Sequence, residues 1–427
     1  MEKVDHLVIG AGITGLAYAN AVLGRGRVLV IEREAEAGGY CRTVVKQGYT
    51  WDYSGHFFHF QRPEIDQWMR ARMPPGSVRS IAKKTRVRPL PDDPARETGF
   101  PFQTRTHELP PDEYLACLAD LRVAAASHDE GATSFQGMLE RRYGKAICQK
   151  FLVPYNEKLY ATDLDSLDVD AMGRFFPHPR GGSALADALE AAGDAADASY
   201  NATFTYPTGG AVEYVHALLR DLPPGTVALG ETLEHIDVVA KVARTSKREI
   251  AFDRLVTSAP LPSVLAACGI AHDAAAFTSN QVLVFNLGFD KKGRDDVHWI
   301  YFADKTLAFY RVGFYDNILG GERMSLYVEL GMPAGAPIDV DKVRARVLAD
   351  LERAHIVSAA HELLAWHHVV MKPAYVHVTK RSLAESARCR ALLADHGVHA
   401  IGRYGGWTYC SIEDDIVEAR ALAAAVR

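Results

Sequence analysis

The sequence predicts an α/β fold that combines a parallel sheet covered by helices, a helical body and an antiparallel sheet. Three features predict it. The first 32 residues alternate apolar strand, glycine turn, helix and apolar strand, which is the pattern of a βαβ unit. Residues 111–198 carry apolar positions at helical spacing. Residues 281–384 contain short aromatic and β-branched runs separated by turns, as antiparallel strands do.

The apolar segment at 4–9 leads directly into three spaced glycines. Gly10 makes a tight turn, Gly12 lets the backbone approach a pyrophosphate, and Gly15 lets the following helix pack closely on the strand. The helix N-terminus presents free N–H groups to an anion. Glu32, at the end of the second strand, is expected to accept hydrogen bonds from ribose hydroxyls. A bare GxGxxG also occurs in structural turns, but strand, helix and acid in register favour a Rossmann-like dinucleotide-binding domain.

The segment after this unit favours FAD over NAD. The pair Gly38-Gly39 is followed by Arg42-Thr43, which is typical of large FAD-dependent proteins of the amine-oxidase type, whereas ordinary dehydrogenases usually continue into a helix. Glycines without Cβ allow the backbone to lie against the phosphate-ribityl chain. Arg42 and Thr43 can donate to a phosphate or to the ring. The prediction is a GR2-type flavoprotein with a Rossmann-like FAD-binding domain.

Two further segments are predicted to face the cofactor. Gly55-His56 lies in an aromatic run, and in this class of flavoprotein the corresponding segment lies against the flavin near N5. The alternative is an aromatic core strand that happens to contain a histidine. Near the C-terminus, Gly402-Arg403 and a helix with an acidic first turn describe a second helix N-terminus aimed at the cofactor. The residues predicted to bind the cofactor are Gly10, Gly12, Thr14, Gly15, Glu32, Arg33, Gly38, Gly39, Arg42, Thr43, Gly402, Arg403, Tyr409, Glu413 and Asp414.

These segments divide the chain into three predicted domains. Each is assembled from the ranges with one kind of pattern. They are an FAD-binding domain (1–60, 206–275 and 390–427), a helical domain (108–198) and an antiparallel sheet substrate domain (61–107, 199–205 and 276–389).

Charge and cysteine content limit the function classes. A net charge of −5 over 427 residues indicates no general affinity for nucleic acid, so an anion must be bound by a local arginine cluster. The six cysteines are scattered without metal-ligand spacing, so no metal site is predicted and a reducing compartment is indicated. Met1-Glu2-Lys3 leads directly into the first strand, and no apolar run is long enough to span a bilayer. We expect a cytoplasmic enzyme, and the sequence does not indicate its oligomeric state.

Five short patterns occur in an order that resembles the UDP-galactopyranose mutase family, and its eukaryotic-type sequences more than the common bacterial ones. The patterns are Pro101-Phe102-Gln103, Pro154-Tyr155-Asn156-x-Lys158, Asn201-Ala202-Thr203-Phe204, Trp299-x-Tyr301-Phe302 with Phe309-Tyr310-Arg311, and Gly402-Arg403-Tyr404-Gly405-x-Trp407-x-Tyr409. The resemblance extends from the N-terminal fingerprint to the C-terminal helix. It lies within the wider group of FAD-dependent amine oxidase and protoporphyrinogen oxidase-like flavoproteins.

The resemblance implies a flavin-dependent nucleotide-sugar mutase that interconverts pyranose and furanose forms, with UDP-galactose the first candidate substrate. It implies that the reaction proceeds on reduced FAD through an adduct between flavin N5 and the sugar, with NADPH or NADH as candidate reductants. The implied catalytic residues are Arg174, Arg311, His56 and Gly55. The implied substrate-binding residues are Phe102, Gln103, Tyr155, Asn156, Tyr160, Asn201, Trp299, Tyr315, Tyr375 and Tyr409.

Arg174 and Arg311 are expected to hold the diphosphate of the substrate. A planar, permanently charged guanidinium suits a pyrophosphate better than a lysine ammonium does. For either arginine alone, a surface ion pair is the commoner role.

The chain departs from the family pattern in ways that concern the exact sugar and nucleotide more than the fold. The Gly-Gly-His of the family is Ser54-Gly55-His56 here. After Arg311 the family has a tyrosine that follows Ser-Asn, whereas this chain has Asp316-Asn317-Ile318, with Tyr315 the nearest hydroxyl. The alternative function is an FAD-dependent oxidase or desaturase of the amine oxidase or protoporphyrinogen oxidase type, which shares the FAD-binding segments. A third interpretation is an FAD-binding relic that serves as a protein-interaction module, which the intact fingerprint disfavours.

Overall fold

The computed structural model describes residues 1–126, 131–176, 183–191 and 202–426. The predicted substrate-binding residue Asn201 lies outside the described residues. The strands are β1 (Glu2–Ile9), β2 (Val28–Ile31), β3 (Thr43–Lys46), β4 (Tyr49–Asp52), β5 (Val78–Ala82), β6 (Thr85–Arg88), β7 (Thr98–Gly99), β8 (Thr203–Pro207), β9 (Val227–Ala228), β10 (Leu233–Asp237), β11 (Val242–Thr245), β12 (Glu249–Thr257), β13 (Asn280–Phe289), β14 (Trp299–Phe302), β15 (Arg311–Phe314), β16 (Ser325–Pro333), β17 (Leu363–Met371) and β18 (Val398–Ala400).

The α-helices alternate with these strands. They are α1 (Ile13–Ala21), α2 (Pro63–Arg70), α3 (Pro111–Ala126), α4 (Phe135–Ile147), α5 (Val153–Tyr160), α6 (Ala184–Ala191), α7 (Val212–Arg220), α8 (Leu261–Ala267), α9 (Tyr315–Leu319), α10 (Val340–Arg353), α11 (Lys380–Asp395), α12 (Gly402–Gly405) and α13 (Ile412–Ala425).

The first sheet is built around β1, which pairs in parallel with β2 and β12. β9 continues the sheet beyond β2, β18 pairs in parallel with β12, and β10 and β11 form an antiparallel edge. Both faces of β1 are buried: Val8 faces the core formed with α1, α7 and α13, and Leu7 lies in the core on the opposite face. The near-continuous apolar sequence of this strand is therefore that of a parallel sheet covered on both sides.

The parallel register aligns the carboxyl ends of three strands. Ile9 stands opposite Ile31 of β2 on one side and Thr257 of β12 on the other. The residues that follow these strands consequently meet at one edge of the sheet, where ligands of open α/β sheets bind. This edge carries Gly10 and Glu32.

The second sheet has the strand order β17-β13-β16-β15-β14-β6-β7 and is antiparallel except between β14 and β6. Side chains alternate between its two faces along β16. Leu326 and Val328 pack in a core that includes residues of α10. Tyr327 lies in the other core, and Glu329, two residues later, is on the same face of the strand as Tyr327. The polar residues of this sheet are therefore collected on one side.

α5 lies close against this polar face. An ideal Cβ on Gly331 would come within 2.0 Å of the carbonyl oxygen of Lys158, so only glycine permits the approach. The Lys158 ammonium in turn donates to the carbonyls of Phe302, Asp304 and Phe309 in the β14–β15 connection. These contacts fix the helix that carries Tyr155 relative to the strand that carries Arg311.

The described part of the chain contains no helix with the length and apolar character of a membrane span. It also contains no group of three or more His, Cys, Asp and Glu side chains arranged to hold a metal ion.

Candidate functional site

The glycine turn after β1 has the conformation that the sequence predicts for a dinucleotide loop. Gly10 has φ +101°, a value that L side chains rarely adopt. An ideal Cβ on Gly15 would lie 2.0 Å from the carbonyl oxygen of Gly10, so α1 can approach β1 only with glycine at this position. A Cβ on Gly12, the N-cap of α1, would meet no atom within 4 Å. The backbone at Gly12 is thus open to close approach.

The second glycine pair folds onto the first loop. Gly38 has φ +124° and Gly39 has φ +57°. The amide of Gly38 donates to the carbonyl of Ala11 at 2.8 Å, and a Cβ on Gly39 would lie 3.6 Å from Cα of Gly12. The two segments predicted to contact the cofactor phosphates therefore form one continuous backbone surface.

Glu32 lies behind this surface. Its Oε2 accepts from the amide of Ala11 at 2.9 Å and its Oε1 accepts from the amide of Glu34 at 3.0 Å. The carboxylate thus stabilises the glycine turn itself, a role that the sequence pattern did not indicate. Binding of a ribose by Glu32 stays a prediction.

The remaining basic and hydroxyl residues predicted near the cofactor differ in exposure. Arg33 is exposed and lies 3.2 Å from Glu34. The Arg42 side chain is 12% exposed, and its Nε is buried without a hydrogen-bond partner among the described residues. The hydroxyl of Thr43 donates to Asp52 at 2.6 Å. Arg42 is therefore the better placed of the three to meet an anion.

The C-terminal segment reaches the same edge of the sheet. Gly402 has φ +77°, and a Cβ there would lie 2.7 Å from Oγ1 of Thr14 in the first turn of α1. The carboxylate of Glu413 accepts from the amides of Gln61 and Arg62, and Asp414 caps α13 through Ser411. Two helix N-termini, those of α1 and α13, therefore flank the loop.

Arg311 lies on the polar face of the second sheet, directly opposite Glu329 of β16. Its Nε donates to Oε2 at 2.8 Å and its Nη2 to Oε1 at 2.5 Å, so the carboxylate engages two of the three guanidinium nitrogens. The Ser54 hydroxyl also donates to Oε1. Burial alone would raise the pKa of the Glu329 carboxyl, but Arg311 and Ser54 hold it below its ordinary value. Glu329 is therefore a carboxylate that orients Arg311.

Tyrosine rings surround this ion pair. Tyr375 stacks on Tyr409 with 5.9 Å between ring centroids, and Tyr160 stands edge-on to Tyr375 at 5.8 Å. Arg403 places its guanidinium carbon 5.2 Å from the Tyr375 ring and 4.5 Å from the Tyr409 ring. Burial raises the pKa of Tyr375, and the nearby Arg311 and Arg403 oppose that rise. Two guanidinium groups therefore lie near one tyrosine hydroxyl.

A second aromatic group lies beside the first. Tyr155 of α5 is edge-on to Tyr301 at 5.2 Å and stacks on Phe151 at 4.9 Å with an interplanar angle of 18°. Phe102 contacts Phe151 at 5.4 Å. Phe151 thus connects Phe102, which is predicted to bind substrate, to Tyr155, one of the tyrosines near Arg311.

His56 lies between the two sheets. Burial lowers the pKa of His56 to about 4, with Arg403 and Arg311 contributing and Glu329 opposing, so the imidazole is neutral near pH 7. Its Nδ1 is buried without a partner among the described residues. A Cβ on Gly55 would lie 2.7 Å from the hydroxyl of Tyr327, so this segment needs glycine to lie against the sheet.

Arg174 lies at the edge of the tyrosine group. Its Nη2 donates to Oδ1 of Asp414 at 2.6 Å, and its side chain is 44% exposed. The neighbouring Phe175 is edge-on to Tyr409 at 5.2 Å. Arg174 and Arg311 are thus connected through Phe175, Tyr409 and Tyr375, and Arg174 is occupied by an ion pair at the start of α13.

Several residues predicted to bind substrate are packed in the core. Tyr315 is fully buried and its hydroxyl donates to the Ser54 carbonyl at 3.0 Å. Trp299 stacks on Phe57 at 5.1 Å, and Asn156 donates to the Leu152 carbonyl at 2.7 Å. Substrate contact by these residues, and by the buried Phe102 and Gln103, stays a prediction.

Several buried polar atoms without hydrogen-bond partners lie in this region. Such atoms are rare in folded proteins and mark strained or ligand-binding positions. Among the described residues they include Nδ1 of His56, Oη of Tyr160, Nε1 of Trp299, Oη of Tyr327 and Nε of Arg403. The residues present therefore fit a polar ligand and a cofactor with hydrogen-bonding edges.

The sequence analysis missed Glu329 and the Ser54 hydroxyl as parts of this site. Glu329 is fully buried and is the one charged residue of a strand whose other residues, apart from Ser325, are aromatic or apolar. A lone acid in such a strand needs a cation, and Arg311 is that cation. The isolated acidic residue was the available signal.

Comparisons with known proteins agree with this geometry. A profile of the NAD(P)-binding Rossmann-like domain matches residues 8–71. The chloroplastic protoporphyrinogen oxidase of Nicotiana tabacum is 23% identical over 177 residues, covering 40% of this chain and 31% of that protein. The all-trans-retinol 13,14-reductase of Rattus norvegicus is 46% identical over 57 residues, covering 13% of this chain and 9% of that protein. The matched segments thus span less than a third of these relatives' own lengths.

The similarity to a solved structure covers the whole chain. A crystal structure of reduced UDP-galactopyranose mutase matches with a TM-score of 0.90 at 21% identity, covering 100% of this chain and 94% of that chain. At this identity the match establishes the fold. The predicted fold, a Rossmann-like domain with helical and antiparallel sheet parts as in UDP-galactopyranose mutase, is confirmed.

Proposed function

We propose that this chain is an FAD-dependent mutase that interconverts the pyranose and furanose forms of a nucleotide-diphosphate sugar, with UDP-galactose the first substrate to test. The observation that carries the proposal is the buried Arg311–Glu329 pair, which faces Tyr375 and Tyr409 next to His56. Carboxylate-oriented guanidinium and phenol groups suit a diphosphate.

FAD in its reduced form supplies a nucleophilic ring nitrogen for the anomeric carbon of the sugar. The residues that fit FAD are the glycine surface at Gly12 and Gly39, the N-terminus of α1 and the Gly55-His56 segment. Because His56 is neutral near pH 7, it can accept or donate one hydrogen bond without placing a charge next to the reacting carbon.

Departure of the nucleoside diphosphate from the sugar builds negative charge on its oxygens. Arg311 is held by Glu329 through Nε and Nη2, which leaves Nη1 without a bond to that carboxylate. Arg174 can contribute a second charge if it exchanges Asp414 for a ligand phosphate. Preorganised cations in a buried site stabilise such charge more than they would in water.

The charge of the site disfavours an amine oxidase. An amine substrate is cationic, and of the charged groups that act on His56, Glu329 compensates Arg311 while Arg403 has no carboxylate partner among the described residues. Like charges in a buried site repel strongly. A porphyrinogen oxidase remains the alternative, since the matched segment of a protoporphyrinogen oxidase supports it.

The decisive experiment is a binding screen of UDP, UDP-galactose and other nucleotide-diphosphate sugars against dithionite-reduced and oxidised protein. We expect UDP to raise the thermal midpoint and the reduced protein alone to interconvert UDP-galactopyranose and UDP-galactofuranose. Arg311→Met should lose UDP binding. Arg323→Met is the matched control, since Arg323 also lies over a tyrosine ring, Tyr49, but is exposed outside the site.

The alternative makes the opposite predictions. Oxygen consumption with a porphyrinogen, together with indifference to UDP in both redox states, would replace the mutase by an oxidase. The reductant can be tested in the same samples, because NADPH or NADH should bleach the flavin absorbance under anaerobic conditions if either serves this protein.

A further inference from the structure

The partly buried guanidinium of Arg403 lies over two tyrosine rings, and no carboxylate among the described residues forms an ion pair with it. Its carbon lies 5.2 Å from the Tyr375 ring and 4.5 Å from the Tyr409 ring. Within the described ranges, no ion pair joins it to a carboxylate and its Nε has no hydrogen-bond partner. Arg311, by contrast, is bonded to Glu329 through two nitrogens.

An unpaired buried charge is costly, so the contrast needs an explanation. Desolvating a cation costs several kcal/mol unless an anion and hydrogen bonds compensate it. The neighbouring carboxylate is that of Asp415, whose Oδ1 accepts from the backbone amide of Arg403 at 3.1 Å and from the thiol of Cys410 at 3.2 Å. Asp415 therefore satisfies the main chain and a thiol rather than the guanidinium.

The position of Arg403 relates it to both segments that are predicted to contact the cofactor. The preceding residue, Gly402, contacts Thr14 in the first turn of α1, so the backbone of this segment lies beside the dinucleotide loop. The side chain extends from there to Tyr375 and acts on the titration of His56. Arg403 thus lies between the loop predicted to bind phosphates and the segment predicted to face the flavin ring.

We propose that Arg403 is the counter-ion for the negative charge that the isoalloxazine ring acquires on reduction, so that it favours the reduced form of the bound cofactor. This inference rests on the proposed binding of FAD. Reduction adds two electrons and one proton to the ring, supplied by a two-electron reductant such as a nicotinamide nucleotide, or by dithionite in the test. Arg403 supplies neither electrons nor protons and acts through its fixed charge.

The test uses FAD-loaded Arg403→Met and Arg403→Lys with Arg323→Met as the matched control. The midpoint potential of bound FAD is measured by reductive titration against a reference dye. We expect the ratio of the affinities for reduced and oxidised FAD to fall at least tenfold in Arg403→Met. For a two-electron couple this corresponds to a shift of the midpoint potential by about 30 mV to more negative values. Arg403→Lys should recover part of the shift, and Arg323→Met should show none.

Other anions give different results. If Arg403→Met leaves the potential unchanged but weakens oxidised FAD, the guanidinium serves the cofactor pyrophosphate and the inference is wrong. If only UDP affinity falls, it serves the substrate diphosphate and the inference is equally wrong. Should Arg403→Met fail to fold, the test is the pH dependence of the midpoint potential in Arg403→Lys. We expect the reduced ring to lose its proton at a higher pH in this variant than in wild type.

Failure of this inference can be separated from failure of the proposed function. An unchanged potential in a protein that still interconverts nucleotide sugars removes only the role of Arg403. A shifted potential in a protein that binds no nucleotide diphosphate removes only the mutase.

Discussion

The dinucleotide edge of the first sheet and the polar face of the second sheet build binding surfaces in different ways. At the edge, the surface is formed by the backbone: Gly10, Gly12 and Gly39 come from one short stretch of sequence, and a Cβ on Gly12 would meet no atom within 4 Å. On the polar face, charged side chains from distant segments, such as Arg311 and Arg403, meet among tyrosines. The first surface is specified locally and sterically, whereas the second depends on strand register and electrostatics.

The difference implies different responses to mutation. A change at the edge should act through van der Waals overlap or blocked approach of a ligand, and a change on the polar face through unpaired charge. The largest effects are therefore expected where a buried ion pair is broken.

Arg311→Ala should abolish UDP binding and turnover and lower the free energy of unfolding by about 3–5 kcal/mol, because Glu329 is left as an uncompensated buried charge. FAD should stay bound, since Arg311 lies on the second sheet. Thermal denaturation, flavin absorbance and UDP calorimetry measure the three properties. In the double variant Arg311→Met/Glu329→Gln, stability should recover while UDP binding should not. A double variant as unstable as Arg311→Ala would contradict the ion-pair explanation.

Gly15→Ala and Gly12→Ala should separate the steric requirements of the edge. A Cβ at position 15 would lie 2.0 Å from a backbone carbonyl, so Gly15→Ala should lower the unfolding free energy of the apoprotein by about 1–3 kcal/mol. Gly12→Ala meets no protein atom and should leave apoprotein stability unchanged while it weakens FAD. Chemical denaturation of the apoprotein and FAD titration test the pair. Equal destabilisation by both substitutions would show that Gly12 is needed for folding and not for approach of the cofactor.

Arg174→Ala should change stability by less than about 1 kcal/mol, because its ion pair with Asp414 is partly exposed. If Arg174 contacts the diphosphate, UDP affinity should nevertheless fall tenfold or more. Asp414→Asn is the informative companion, since it releases Arg174 without removing it. Unaltered UDP affinity in Arg174→Ala would reduce Arg174 to a surface ion pair.

The contribution of His56 to stability should appear as a pH dependence below neutral pH. Its folded-state pKa of about 4 lies below the ordinary histidine value. The unfolded chain therefore gains a proton that the folded protein does not, and the contribution of His56 to stability falls as pH decreases from about 6.5 towards 4. Relative to His56→Gln, wild type should lose about 1 kcal/mol over this range, because the half-buried ring keeps part of its solvation. A pH-independent difference in thermal midpoint would contradict the neutral buried state.

The sequence predicted much of the fold because its strongest signals are local. The strand, glycine turn and helix at 4–21 could be predicted from apolar runs and glycine spacing, and all three are present. Residues 61–107 were assigned to the sheet domain without a strand being predicted within them, and β6 and β7 of the second sheet come from this range. Both strands are short. β7 pairs with β6, and β6 pairs with β14, which comes more than 200 residues later in sequence, so this partner was not visible locally.

The candidate site divides in the same way. The glycine residues of the predicted cofactor loop were selected together because they are adjacent in sequence. Glu329 was not selected, because its partner Arg311 lies on the opposite strand and that pairing was not known from the sequence. Tyr315 was selected as the nearest hydroxyl in sequence, whereas its hydroxyl is bonded to the carbonyl of Ser54. Proximity along the chain did not reveal the direction of the side chain.

The sequence by itself determined the glycine turn and the parallel unit around it, since φ angles and the absence of Cβ are properties of single residues. Only the tertiary structure decided that Arg311 is paired with Glu329 while Arg403 lies over Tyr375 and Tyr409 with no ion pair to a carboxylate in the described part of the chain. The physical reason is that strand register and helix approach, which no local pattern encodes, set the distance between charges, and that distance governs their energy.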